Sequence, residues 1–103
     1  MKIAILLACV ALAAGTEDQS MIGVITDTMC GKSHAMMGSR NDAECVRMCV
    51  KGSSQYALYD GKDVWRLSDQ KAPAPFAAQR VKVTGSVNRK AHSIRVTSIE
   101  PAP

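Results

Sequence analysis

The segment Arg80 to Val87, RVKVTGSV, repeats with a period of two: Val81, Val83 and Val87 share one face, and Lys82, Thr84 and Ser86 share the other. Successive side chains of a strand point to opposite sides, so this pattern predicts a strand with one buried and one solvated face. A lone strand cannot bury that face, and the rest of the chain must supply partners. Gly85 interrupts the run where a bulge or sharp bend lets a small sheet curl.

Four further segments meet that demand. Met21 to Asp27 (MIGVITD) sets Ile22, Val24 and Thr26 against Met21, Gly23 and Ile25. Gln55 to Asp60 and Asp63 to Leu67 carry aromatic and branched residues, and Asp60-Gly61 between them is a hairpin signal. Ser93 to Ile99 (SIRVTSI) starts with Ile94 and Val96 on one face, breaks register at Ser98-Ile99 and is stopped by Pro101. Between the third and fourth strands, Asp69 to Gln79 contains Pro73 and Pro75, which block ladder pairing, so it reads as a connector with one turn at Phe76-Ala77-Ala78.

The period of two vanishes between Thr28 and Ser54, where the one regular piece is Asp42 to Lys51. It predicts a short helix, with Asn41 capping its first turn, Glu44 reaching back in a capping box, and Gly52 ending it in the left-handed conformation. Five strands, a central hairpin and a connector after the third strand predict a mainly β chain: a small five-stranded Greek-key barrel of the OB type, with the helix in the loop between strands one and two. The stretches Gly23 to Gly31, Cys49 to Asp60, Val81 to Gly85 and Ile94 to Ile99 resemble an uncharacterised family of small exported bacterial proteins with an OB-like core. That resemblance implies a fold and carries no activity with it.

The N-terminus points to export. Lys2 is the single charge before the apolar run Ile3 to Ala14, which leads through small residues into the polar TEDQS, the layout of a signal peptide. The run is about 12 residues long, whereas a helix needs roughly 20 to cross a bilayer, so no stable membrane span is expected after cleavage. Peptidase preference is met after Ala13 and after Gly15, and Leu6-Leu7-Ala8-Cys9 also resembles a lipidation box with a short apolar run before it. We read 1–15 as the signal peptide and 16–103 as one domain, periplasmic or secreted.

Export changes what the cysteines mean. Cys9 leaves with the signal, and Cys30, Cys45 and Cys49 remain, an odd number for an oxidising compartment. Cys30 and His34 stand at i and i+4, as do Cys45 and Cys49, spacings that on a helix share one face. Met48 joins the second pair, while Met29, Met36 and Met37 flank the first. Two chemistries compete for this cluster. In one, a disulfide joins Cys30 to Cys45 or Cys49 and contributes roughly 2 to 4 kcal/mol to a domain with a small core. In the other, Cys30, His34, Cys45 and Cys49, with Met29 and Met48 as auxiliary donors, hold zinc or copper, which soft sulfur donors favour.

A thiol enzyme is the weakest reading. Cys30 or Cys45 with His34 or His92 would be its nucleophile and base, but no orienting acid accompanies them, and C-x3-C is not the C-x-x-C of thiol oxidoreductases. The net charge of +4 comes from basic residues spread along the chain, which gives no nucleic-acid footprint. The expectation is a non-catalytic binding domain for an unidentified ligand or envelope protein. In an OB barrel the Cys30 to Cys49 insertion and the loop Asn88 to His92 would be its two ligand-binding loops, bringing Arg89, Lys90 and His92 near the cysteines.

Overall fold

The computed structural model describes residues 18–29, 31 and 40–103. The signal-peptide reading of 1–15 lies outside the described residues. In chain order the elements are β1 (Gln19–Asp27), α1 (Arg40–Gly52), β2 (Tyr56–Tyr59), β3 (Val64–Leu67), a single 3-10 turn (Ala74–Phe76), β4 (Arg80–Asn88) and β5 (Ser93–Pro101). Among the described residues no helix is long and apolar enough to cross a membrane.

Strand β1 serves two partners in succession. Its first part, Gln19 to Val24, pairs antiparallel with β4, and its second, Val24 to Asp27, pairs antiparallel with β2. At the changeover the connector steps in, as Ala78 N–H donates to Ile25 O (2.8 Å) and Ile25 N–H donates to Gln79 O (3.0 Å). The backbone groups of Ile25, a fully buried residue, are satisfied in this way. Strands β2 and β3 form the hairpin expected around Asp60-Gly61, with Gly61 at φ +102°, and β4 and β5 pair antiparallel along most of their length.

A short parallel pairing of β3 with β5, Arg66 opposite Ser93 and Leu67 opposite Ile94, closes the sheet into a ring in the order β1-β2-β3-β5-β4. Inside the ring lie Ile25, Leu58, Trp65, Leu67, Val81, Val83 and Ile94. Each fully buried aliphatic side chain contributes roughly 1.5 to 3 kcal/mol in transfer free energy. Val46 of α1 joins the same cluster at 0% exposure, with Ala43 and Val50 of the same helix packed against it. Apolar residues at these helical spacings make the stripe that fixes α1 to the ring.

The alternation of Val81 and Val83 points into the core as the sequence predicts, and Val87 is half-buried. The bulge expected at Gly85 is present, with the register shifting between Thr84 and Gly85. Its extra residue is on β5: Ser98 faces Thr84 and Val96 faces Gly85, leaving Thr97 between them. A side chain at 85 has no room, because a Cβ there would stand 2.1 Å from Arg95 O.

Helix α1 corrects the capping scheme. It begins at Arg40, so Asn41 is a helical residue and not its cap, and Gly52 does not have a positive φ. Ser54 N–H instead donates to Cys49 O across the last turn (3.1 Å), satisfying a terminal carbonyl without a left-handed glycine. The connector's turn is Ala74–Phe76 rather than 76–78, because Pro73, Pro75 and their neighbours fix the φ values of that segment.

Candidate functional site

The turn leaving β1 is built around Asp27, which is 0% exposed. Its Oδ1 accepts Met29 N–H (2.9 Å) and the hydroxyl of Ser54 (3.0 Å), and its main-chain oxygen accepts Gly31 N–H (2.9 Å). Thr26 Oγ1 donates to Gly31 O (2.6 Å), and Gly31 takes φ +51°. Ser54 and Thr28 hydroxyls are 3.0 Å apart, and Thr28 Oγ1 accepts Gln55 N–H. This polar clasp ties the end of β1 to the segment between α1 and β2, and it fixes the residues on both sides of position 30.

The predicted metal and disulfide residues fall into two groups. Cys30 and His34, with Met36 and Met37, lie outside the described residues. Cys45 and Cys49 are one turn apart on α1, Cys45 exposed and Cys49 half-buried, both as free thiols. Met48 beside them is 73% exposed, and Met29 at the clasp is 69% exposed. With Val46 on the core side, Cys45 and Met48 lie on the open side of α1 and Cys49 at its half-buried margin. Among the described residues, no group of three or more His, Cys, Asp or Glu side chains converges as a metal site.

The loop between β4 and β5 is held by Trp65. His92, in the left-handed region at φ +50°, stacks on the indole with ring centroids 5.1 Å apart and an interplanar angle of 29°. The guanidinium of Arg89 stands 5.8 Å from the same ring. The indole N–H donates to Asp60 Oδ2 (3.0 Å), and Arg66 N–H donates to His92 O (2.9 Å). Burial pushes the Asp60 carboxyl up, but donation from Asp63 N–H, the Trp65 indole and Lys62 N–H outweighs it and holds the group below its ordinary value. A non-glycine residue at positive φ is held there by surrounding contacts, here the stack on Trp65 and the bond from Arg66 N–H to its carbonyl.

Sequence reasoning missed a cavity of about 360 Å³ on the outer face of the sheet, where β3, β5 and β4 run side by side. Arg66, Ser93 and Asn88 form one cross-strand row of its lining, and Ser68, Arg95 and Ser86 form the next. All are outward positions of alternating strands, so their polarity was visible in the sequence. What gathers them is the parallel β3 and β5 pairing, a long-range contact that no local pattern announces. Comparison with family models, curated proteins and solved structures finds no match to this chain.

Proposed function

We propose that the chain is an exported, non-catalytic binding domain: a signal peptide at 1–15 followed by one small OB-like Greek-key barrel at 16–103. The observation that supports the OB-like part of this reading is the strand order β1-β2-β3-β5-β4 with β3 parallel to β5 and α1 inserted between the first two strands. In barrels of this kind the loop between strands one and two is a customary ligand-binding loop. Its ligand is a small molecule or an envelope protein.

In the oxidised protein, Cys30 and Cys49 staple that loop. Supporting this pair, the Asp27 clasp fixes Met29 and Gly31 on either side of position 30, and Ser54 bonds both to Asp27 and to the carbonyl of Cys49. Cys45 is the more exposed thiol and is left over. Bond formation removes two protons and two electrons, which pass to a disulfide carrier of the oxidising compartment. Intact mass with thiol labelling after denaturation tests it: a two-hydrogen deficit and one labelled thiol are expected in the exported protein, and three labelled thiols would exclude the staple.

A second reading is favoured by the exposure of Met29 and Met48 beside cysteines, which leaves soft thioether donors open to a soft metal ion. In it, Cys30, His34, Cys45 and Cys49 bind copper or zinc with those methionines as auxiliary donors. Native mass spectrometry of protein purified without chelator would show a metal adduct, lost or weakened in Cys49→Ser. A Cys49→Ser protein with undiminished metal would eliminate the four-ligand site.

A further inference from the structure

We propose that the cavity between β3, β5 and β4 is an oxyanion site that binds a small phosphate monoester, independently of the cysteine chemistry. Arg66 and Arg95 both line it, on adjacent strands and adjacent rows. Strand spacing and rise put their Cα atoms about 8 Å apart, within the reach of two arginine side chains converging on one group. Among the described residues no carboxylate lines the cavity, and neither guanidinium takes part in an ion pair.

The neutral lining is biased toward donation. Ser68 Oγ already accepts Val96 N–H (2.9 Å), and Asn88 Oδ1 already accepts Ala91 N–H (3.0 Å). The Ser68 hydroxyl hydrogen and the Asn88 amide NH2 therefore remain to donate, and Ser86 and Ser93 add hydroxyls. Two guanidinium forks with this set of donors match a tetrahedral oxyanion better than a carboxylate, whose two oxygens a single fork satisfies.

The volume sets the size of the ligand. A cavity of about 360 Å³ stands at the low end for small-molecule sites, enough for a phosphate with a short polar group such as glycerol. Single-stranded nucleic acid fits less well, because it needs open aromatic platforms for its bases, and Trp65 is 3% exposed beneath His92.

Side-chain Nε–H resonances of Arg66 and Arg95, followed by NMR with the purified protein, read the site. Glycerol 3-phosphate and inorganic phosphate should shift both, and acetate at equal concentration should shift them far less. Arg66→Gln and Arg95→Gln should each weaken glycerol 3-phosphate binding by about tenfold or more, as loss of a charged hydrogen-bonding partner implies. Lys62→Gln, the same charge change on the β2 to β3 turn, should leave affinity within about twofold. Vesicles carrying phosphatidic acid separate the two sources of this chemistry: capture that depends on both arginines assigns a lipid headgroup, and binding of the soluble ester alone assigns a free metabolite. The proposal falls if the phosphates leave both resonances in place, if the two glutamine variants bind as the parent does, or if an oligothymidylate binds more tightly through residues other than Arg66 and Arg95.

Discussion

The hydroxyl of Ser54 donates to the buried carboxyl of Asp27 across 3.0 Å, joining the end of β1 to the exit of α1. Replacing Asp27 by Ala strips an acceptor from Met29 N–H and from Ser54 in a dry environment. Such a loss costs about 2 to 4 kcal/mol. Ser54→Ala removes one donor and should cost about half as much. Urea unfolding of the two variants measures the difference, and an Asp27→Ala protein as stable as the parent would contradict the clasp.

The hairpin carboxyl of Asp60 makes stability depend on acid. Its folded pKa lies below the ordinary 3.8 because the N–H groups of Asp63, Trp65 and Lys62 outweigh the effect of burial. A group with a depressed folded pKa stabilises fully above its unfolded value and loses that contribution as pH falls through the folded one. Melting temperature should therefore drop as pH is taken below about 4, and Asp60→Asn should flatten that limb. Asp69, whose carboxyl is held low by Ala72 and Lys71 N–H, titrates in the same sense, so the double variant should be flatter still.

Two glycines are fixed by backbone approach. A Cβ on Gly85 would meet Arg95 O at 2.1 Å, and one on Gly23 would meet Tyr59 O at 2.3 Å. Because each obstacle is main chain, neither can rotate aside, and the strands must part. Gly85→Ala and Gly23→Ala should each destabilise by about 2 kcal/mol or more. Differential scanning calorimetry would show it; a Gly85→Ala melting temperature equal to the parent's would mean that the bulge relaxes freely.

His92 is held at φ +50° over Trp65. His92→Ala loses the ring stack, worth about 0.5 to 1.5 kcal/mol, and keeps the strained backbone. His92→Gly loses the same stack but relieves the strain. Both should open Trp65 to water and shift its fluorescence to longer wavelength. Glycine should be the more stable of the two, and the reverse order would show that the left-handed conformation is not a cost.

Much of the sheet was legible in local pattern: Val81 and Val83 alternate because one face of β4 is buried, and Asp60-Gly61 announces its turn through the positive φ of Gly61. The insertion of a helix before β2 was legible for the same reason, since the period of two stops there. Asn41 misled as a cap because the helix starts at Arg40, two residues before the expected Asp42, a difference of the size by which helix ends commonly shift. The Asp27 and Ser54 bond, the His92 stack and the placing of Arg66 and Arg95 along one cavity were not legible. Each joins residues far apart in sequence: the pairing of β1 with β2 brings Asp27 to Ser54, and ring closure gathers the other two.

That closure rests on its shortest pairing, Arg66 with Ser93 and Leu67 with Ile94. Opening there alone would free one margin of β3 and one of β5, each a template for a neighbouring chain. Guarding the junction are Arg66 and Arg95, like charges on facing surfaces of any two molecules that tried to zip together along it. An anion held between them would then act as a rivet, making the chain slower to open and harder to recruit into aggregates.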